Sequence, residues 1–347
     1  MIDLVNKLNS NKNYTYFISE IGLNHNGSIE ITKKLIDVAK KSGSDAVKLQ
    51  KRDVANLATE EILNKEDNRF PEFGSTYREV REYIEFNKDE YEEIKKYCNK
   101  INIDFLCTAF DISSAKFLID LKIDYFKIAS HSVTNIPLIE FIAENNIPSI
   151  LSTGMSEIED IDLAYEIFKK NKTDLILLHC VSSYPTPENE MNLNIIETLK
   201  KRYKNIHIGY SGHEIGHLPT IAAVCKGARV IERHITLDQK MIGFDHSLSI
   251  EPNELTKIIE QIRKIEVLMG SSEKRVLDSE MIKKNQYNVS MIAKRNIFKD
   301  ETLILEDVEF KNPGDGILYK NSNKYLGKKV ISNIMKDEVI SPKKIDV

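Results

Sequence analysis

Short apolar runs alternate with longer amphipathic segments along most of the chain. Eight runs are rich in Val, Ile, Leu and Phe, and most begin roughly 20 to 30 residues after the previous one, the length of a strand–helix unit. The predicted strands are residues 16–21, 46–50, 104–110, 125–130, 149–154, 175–180, 207–212 and 229–236. The gap between the second and third strands is wider because it holds a polar insertion, from about residue 52 to residue 87.

Capping residues support helices in the segments between these strands. Ser28 precedes one amphipathic run and Gly43 follows it, Asp111 precedes another, and Ser156 with Glu159 fits a capping box. Eight strands alternating with eight helices predict an α/β fold, a (β/α)8 TIM barrel. A doubly wound open sheet is the alternative, but no GxGxxG motif follows the first strand.

The pattern changes after residue 270. Residues 271–288 are mostly charged and lack a clear hydrophobic period, which predicts a linker. From residue 289 to 347, short β-like runs separated by turns predict a small β-rich domain. Because about 60 residues form only a small core, we expect this domain to pack against another surface. The predicted organisation is therefore a barrel at 1–270, a linker and a small domain.

Composition excludes several classes of protein. The net charge is −4 and the charged residues are evenly mixed, whereas a nucleic-acid-binding protein would carry a basic stripe. We find no apolar stretch long enough for a membrane span and no secretory signal. The four cysteines are far apart and form no CxxC motif, as expected of thiols in a reducing compartment. These features predict a cytoplasmic protein.

Polar side chains stand at the carboxyl end of nearly every predicted strand. TIM barrels have their active sites at this face. A buried polar group without a partner costs about 1–3 kcal/mol, so a face lined with such groups predicts a charged ligand or ordered water. Lysines and hydroxyl groups suit a phosphate or a carboxylate, and Glu20 is the acid–base candidate. The set includes Glu20, Lys48, Gln50, Thr108, Lys127, Ser130, Ser152, Ser211, His213, Glu232 and His234.

Two histidines follow neighbouring predicted strands. His213 ends the seventh apolar run and His234 ends the eighth, so one divalent ion could bind both, with open positions for water or substrate. The alternative is a structural histidine beside a surface ion pair. His25, His217 and His246 are interpreted as loop or supporting residues rather than ligands.

Several ordered motifs resemble those of sialic acid synthases, which condense phosphoenolpyruvate with an N-acyl hexosamine to make nonulosonic acids. The motifs are SEIGLNHNGS (19–28), VKLQ (47–50), YFKIAS (125–130), ILSTGM (150–155), LLHCVSSYPTP (177–187), GYSGHE (209–214), ERHITLD (232–238) and FDHSLSIEP (244–252). The resemblance extends over essentially the whole chain. The segment from residue 289 resembles the antifreeze-like (SAF) domain of that family.

This resemblance implies a transferase that depends on Mn²⁺, with Mg²⁺ or Co²⁺ as alternatives, and a domain-swapped homodimer. It implies His213 and His234 as metal ligands, and Glu20 and Glu232 beside the reacting carbons. The residues implied to bind phosphoenolpyruvate are Lys48, Thr108, Lys127, Ser130, Ser152 and Ser211. Those implied to face the sugar are Gln50, Tyr184 and Asp245.

One segment departs from the family pattern. Many bacterial members have KRPG where this chain has KNPG, so Asn312 stands where an arginine would reach the N-acyl group of the sugar across the dimer. An amide can accept or donate a hydrogen bond but supplies no charge. Other segments, such as TYREVREYIEF (76–86), resemble the animal-type branch, which uses a 6-phosphorylated sugar. Arg69, Arg78 and Arg81 could meet that phosphate or be solvated on a loop.

The sequence leaves several functions open. The main prediction is an N-acetylneuraminate synthase that uses N-acetylmannosamine or a relative and releases phosphate by C–O cleavage. A synthase of the 9-phosphate product, or of legionaminic or pseudaminic acid, is the alternative within the family. A Schiff-base aldolase using Lys127 or Lys48 is disfavoured by the paired histidines, and a sugar-binding protein without turnover by the intact set of site residues.

Overall fold

The computed structural model describes residues 4–346, which divide into two compact units with the boundary after Gly270. In the described part of the first unit, eight parallel strands close into a barrel in which β1 pairs with both β2 and β8. The predicted (β/α)8 fold is confirmed. The strands are β1 (Tyr16–Gly22), β2 (Ala46–Lys51), β3 (Asp104–Ala109), β4 (Phe126–Ile128), β5 (Ser149–Ser152), β6 (Leu175–Cys180), β7 (His207–Gly212) and β8 (Val230–His234).

Helices follow each strand of the barrel, and their apolar faces pack against the strands in one large core. The helices of the first unit are α1 (Leu4–Ser10), which precedes β1, α2 (Ile29–Ser42), α3 (Glu60–Leu63), α4 (Tyr77–Ile84), α5 (Lys88–Ile101), α6 (Ile112–Asp120), α7 (Ile136–Glu144), α8 (Ile158–Asn171), α9 (Ile195–Arg202), α10 (Leu218–Cys225) and α11 (Pro252–Met269). Helices α3 and α4 lie in the polar insertion after β2. Among residues 4–346, no helix is both long and apolar enough to cross a lipid bilayer.

The helix caps follow the sequence with one exception. The Ser28 hydroxyl accepts a hydrogen bond from the Ile31 amide, and Gly43 ends α2 with φ at 89°, a left-handed conformation that suits glycine. The capping box predicted at Ser156 and Glu159 is wrong. Helix α8 begins one residue later, and the Asp160 carboxylate accepts the amide hydrogen of Glu157 at 3.0 Å.

Strand alternation divides the inside of the barrel into an apolar half and a polar half. Successive side chains of a strand point to opposite faces, so every second residue points inward. In β1, Ile18 is in the inner apolar cluster and Glu20 lines a cavity, and in β8 Val230 and Glu232 follow the same order. The apolar half is closed by Leu4 and Leu8 of α1. The polar half of the interior therefore lies at the carboxyl ends of the strands, where the cavity opens.

The second unit contains a two-stranded antiparallel sheet, β9 (Ser290–Ala293) with β10 (Val308–Lys311). Part of the segment predicted as a linker, residues 271–288, forms helix α12 (Met281–Tyr287). The other short β-like runs predicted from the sequence take part only in isolated bridges within the described residues. This small sheet fits the expected β-rich domain. Its own apolar core comprises Met291, Ala293, Ile297, Leu303, Val308, Ile317, Val330, Ile334, Ile340 and Ile345.

Candidate active site

A cavity of about 320 Å³ opens at the carboxyl ends of the barrel strands. It brings together all the barrel residues that the sequence and the family resemblance selected. They are Glu20, Lys48, Gln50, Thr108, Lys127, Ser130, Ser152, Tyr184, Ser211, His213, Glu232, His234 and Asp245. Asn312 lies in the second unit, where its side-chain amide donates a hydrogen bond to the Tyr287 carbonyl at 2.8 Å.

Two buried lysines and two buried glutamates form the floor of the cavity. The Lys48 Nζ atom lies 2.8 Å from Glu20 Oε1 and 3.9 Å from Glu232 Oε1, and Lys127 Nζ lies 3.8 Å from the same Glu232 oxygen. All four side chains are at most 7% exposed. Charges buried to this degree need partners, and here each carboxylate faces at least one ammonium group.

Hydroxyl groups extend this pair of lysines into an anion-binding surface. Lys48 donates to Thr108 Oγ1 at 2.7 Å, and Lys127 donates to Ser152 Oγ at 2.6 Å. Thr108 and Lys127 are register partners in β3 and β4, which places the two lysine–hydroxyl pairs side by side. Ammonium groups flanked by hydroxyls suit a ligand that carries both a carboxylate and a phosphate.

The two glutamates have opposite pKa shifts although both are buried. Burial raises the pKa of Glu20 above its ordinary value, and Glu232 adds to this while Lys48 opposes it. Burial would also raise the pKa of Glu232, but Lys127 and Lys48, with both site histidines, hold it below its ordinary value. Glu20 Oε2 has no hydrogen-bond partner in the described structure. Carboxyl groups with divergent pKa values suit divided roles, one exchanging protons and the other remaining charged.

The two strand-end histidines lie at one side of the cavity, with ring centroids 5.4 Å apart. His213 Nδ1 is hydrogen-bonded to the Val181 carbonyl at 2.8 Å, which leaves Nε2 as its ligand atom. His234 Nδ1 is buried without a hydrogen-bond partner and lies 3.6 Å from the Asp245 carboxylate. Burial lowers the pKa of His234 to about 4, so it is a neutral imidazole able to ligate a metal.

The donor set limits what kind of metal site fits. Within residues 4–346, no group of three or more His, Cys, Asp or Glu side chains is placed to bind one ion. A site with two histidine ligands fits, and water or substrate would supply the other positions. Burial opposes protonation of His213, but its hydrogen bonds with Cys180 and Val181 raise its pKa. A cation bound at Nε2 would replace that proton.

The side chains expected to face the sugar lie around these histidines and Glu20. The Tyr184 ring packs on His213 with centroids 4.1 Å apart. Gln50 donates to Glu20 Oε1 at 2.6 Å and accepts a hydrogen bond from Arg52 Nη2 at 2.5 Å. A polar chain therefore runs from Glu20 towards the end of β2.

Arg233 occupies the position between Glu232 and His234 but points away from the cavity. It is 1% exposed, and its Nη1 atom lies 2.6 Å from the equally buried Glu214. It also donates to the Thr220 hydroxyl at 2.7 Å and to the Glu214 carbonyl. Because side chains alternate between the two faces of a strand, Arg233 points outward from β8, where it stabilises the packing of α10 against β8.

Some cavity residues were not singled out from the sequence. Arg52 directly follows β2, and only its position after a strand could have marked it. Of the insertion arginines, Arg81 lines the cavity, whereas Arg69 is paired with Asp67 and Arg78 with Glu60. The three histidines interpreted from the sequence as loop or supporting residues, His25, His217 and His246, do not line the cavity.

The chain is similar to known proteins over nearly its whole length. Residues 35–274 match the NeuB family. An N-acetylneuraminate-9-phosphate synthase of Drosophila melanogaster is 36% identical, with 94% of each chain covered. An N,N'-diacetyllegionaminic acid synthase of Campylobacter jejuni is 37% identical, over 94% of this chain and 98% of the relative. A crystal structure of the sialic acid synthetase of Leptospira borgpetersenii superposes with a TM-score of 0.69 at 34% identity, covering 78% of this chain and 90% of that one.

Proposed function

The chain belongs to the NeuB family of nonulosonic acid synthases, and we propose that it condenses phosphoenolpyruvate with an open-chain N-acyl hexosamine such as N-acetylmannosamine. The products would be a nonulosonic acid and phosphate. The observation that carries the proposal is the buried pair of lysines, each with a hydroxyl partner, set between two glutamates of opposite pKa shift.

Phosphoenolpyruvate would bind on the floor of the cavity. Its carboxylate and phosphate would take the place of the hydroxyl and carboxylate partners that Lys48 and Lys127 now have. Ser130, Ser152 and Ser211 line the same floor and would donate hydrogen bonds to the remaining oxygens. The carboxylate and phosphate of the ligand would thereby each meet an ammonium group in a buried site.

The proposed reaction forms one C–C bond and breaks one C–O bond. The methylene carbon of phosphoenolpyruvate attacks the sugar aldehyde, whose oxygen takes up a proton and becomes a hydroxyl. Water adds at C2, and Glu20, whose pKa is raised, accepts a proton from that water. Glu232 remains a carboxylate and offsets the positive charge that develops at C2. The tetrahedral species then expels phosphate with its bridging oxygen, and its C2 hydroxyl loses its proton as the ketone forms. Of the two protons of the added water, one ends on the new sugar hydroxyl and the other on the released phosphate.

His213 and His234 would hold a divalent ion, which we propose to be Mn²⁺, with Mg²⁺ or Co²⁺ as alternatives. Such an ion would supply Lewis-acid polarisation of the aldehyde oxygen. Tyr184, Gln50 and Asp245 would orient the sugar beside these histidines.

The proposal includes a domain-swapped homodimer, in which Asn312 of one protomer would reach the N-acyl group of the sugar bound to its partner. Sedimentation equilibrium would measure the stoichiometry. Purely monomeric protein that retains full activity would contradict this part of the proposal.

Phosphate release from phosphoenolpyruvate, measured against a panel of free and 6-phosphorylated N-acyl hexosamines, tests the proposed function. Lys127→Met should abolish release, whereas Lys169→Met, an exposed lysine on α8, should not. The Schiff-base alternative has one supporting observation, since burial lowers the pKa of Lys127. Borohydride trapping of pyruvate on Lys127, without phosphate release from phosphoenolpyruvate, would favour that alternative.

A further inference from the structure

Two arginines reach the cavity at a distance from its lysine floor. Arg52 follows the last residue of β2 and is 7% exposed, while Arg81 belongs to α4 in the insertion. Both line the main cavity and also an adjoining recess of about 350 Å³ that includes Tyr77 and His131. We call Arg52 and Arg81 the arginine pair.

The arginine pair has N–H groups that no protein acceptor satisfies. Arg52 Nη1, Arg81 Nε and Arg81 Nη1 are buried and have no hydrogen-bond partner within the described residues. A buried guanidinium with unpaired N–H groups is unfavourable unless a ligand supplies acceptors. The other two insertion arginines differ, because the Arg69 and Arg78 guanidinium groups lie 2.6 Å and 2.8 Å from carboxylates.

Aromatic rings hold the two guanidinium groups in place without neutralising them. The Arg52 guanidinium carbon lies 3.6 Å from the centroid of the Phe110 ring. The Arg81 guanidinium carbon lies 4.7 Å from the Phe244 centroid and 5.0 Å from that of Tyr77. Stacked guanidinium groups keep their N–H edges free for an anion.

Glu85, the acidic residue that contacts Arg52, is already ion-paired with Lys51. Glu85 Oε1 lies 2.7 Å from Lys51 Nζ and contacts Arg52 only through its backbone amide, at 3.3 Å. Burial and the charge of Arg81 lower the pKa of Arg52 to about 10, which leaves it protonated at neutral pH. Within residues 4–346 neither guanidinium of the arginine pair forms an ion pair with a carboxylate, and Glu85 offsets the charge of Arg52 only in part.

The Gln50 side chain separates the arginine pair from the floor. It accepts a hydrogen bond from Arg52 Nη2 at 2.5 Å and donates one to Glu20 Oε1 at 2.6 Å, so Arg52 and Lys48 lie on opposite sides of this link. An open-chain hexose has its aldehyde and its C6 at opposite ends, so an aldehyde beside the floor directs C6 towards the opening. We propose that the arginine pair binds a phosphate on C6 of the acceptor, which makes a 6-phosphorylated N-acyl hexosamine the preferred substrate. This inference rests on the proposed function and specifies its acceptor.

Steady-state kinetics with N-acetylmannosamine and its 6-phosphate test the assignment. The wild-type protein should use the 6-phosphate with a kcat/KM about a hundredfold higher, and Arg81→Gln should raise KM for that substrate about tenfold to a hundredfold. The KM for phosphoenolpyruvate should be unchanged, since Arg81 does not touch the floor. Arg78→Gln is the matched control because it lies on the same helix and is paired with Glu60.

The outcomes separate this inference from the proposed function. Turnover of the free sugar that equals or exceeds that of the 6-phosphate, or an Arg81→Gln variant that matches Arg78→Gln, would overturn the subsite while leaving the synthase activity standing. If no sugar led to phosphate release, both the proposed function and the phosphate subsite would be contradicted. Titration with inorganic phosphate tests whether the arginine pair binds free phosphate instead of a sugar phosphate. Binding of phosphate that depends on Arg81, without any preference for the phosphorylated acceptor, would also overturn the assignment.

Discussion

Lys48 lies between the two glutamates of the cavity, with its Nζ atom 2.8 Å from Glu20 Oε1. The ion pair is buried on both sides and is completed by hydrogen bonds from Lys48 to Thr108 and from Gln50 to Glu20. Buried pairs of this kind contribute little net stability compared with apolar packing, so their presence favours a functional explanation. In the proposed reaction, Lys48 binds phosphoenolpyruvate and Glu20 accepts the proton, so this contact links the two functions directly.

Replacing Glu20 with Gln keeps the shape of the side chain and removes its ability to accept a proton. We expect kcat to fall about 10²- to 10⁴-fold, because that is the contribution of a positioned general base. The KM for phosphoenolpyruvate should change little, since Lys127 and the hydroxyls remain. Glu30→Gln, at an exposed position on α2, is the control. Wild-type turnover by Glu20→Gln would show that another group handles the proton.

Arg233→Met should destabilise the barrel without a direct effect on the cavity. It leaves the Glu214 carboxylate buried without its cation, which costs about 3–5 kcal/mol in the free energy of unfolding. Arg233→Met combined with Glu214→Leu should recover most of that loss, because no unpaired charge remains. Urea denaturation of the single and double variants measures the coupling. Additive losses in the double variant would contradict the assignment.

Metal binding should depend on both strand-end histidines. Calorimetric titration of chelator-treated protein with Mn²⁺ should detect one site per chain, and His213→Ala or His234→Ala should abolish it. His217→Ala is the matched control, since His217 lies outside the cavity and contacts Glu254. Metal binding that persists in both cavity variants would place the ion elsewhere.

The buried His25 should make the protein less stable as the pH falls. Burial, assisted by the charge of Arg52, lowers the pKa of His25 to about 3 against an ordinary value of 6.5. Between these values the unfolded chain binds a proton that the folded chain does not, so the free energy of unfolding falls by about 1.4 kcal/mol per pH unit from this group.

His25→Phe retains the ring that stacks on Phe86 and removes the titrating group. Urea denaturation between pH 6.5 and 4 should therefore show a slope for this variant that is shallower by about 1.4 kcal/mol per pH unit. An unchanged slope would mean that His25 is protonated in the folded state.

Much of the barrel could be predicted because its inner face repeats one pattern. The period of two puts an apolar residue before a polar one along several strands, as in Ile18 and Glu20 or Val230 and Glu232. The same period explains why Arg233 points away from the cavity. Its partner Glu214 could not be predicted, because the contact depends on how the segment between β7 and α10 packs on β8.

The arginine pair could be predicted only in part. Arg81 was one of three arginines in the polar insertion that were equally good candidates for binding a phosphate. The sequence does not show which of the three form ion pairs with carboxylates. Their pairing depends on the fold of the insertion, where Asp67 and Glu60 occupy Arg69 and Arg78. Arg52 belongs to no recognised motif. Whether its side chain reaches the cavity depends on where β2 ends, which the sequence does not fix. The small domain was also harder to predict, since much of its structure consists of isolated bridges.

The fate of the bridging oxygen of phosphoenolpyruvate tests the central proposal most directly. Phosphoenolpyruvate labelled with oxygen-18 at that position would be incubated with the protein, Mn²⁺ and an N-acyl hexosamine, either free or 6-phosphorylated, and both products would be analysed by mass spectrometry. Labelled phosphate is expected in equal amount to a product three carbons longer than the sugar. Unlabelled phosphate, or phosphate release without the longer product, would contradict the proposal.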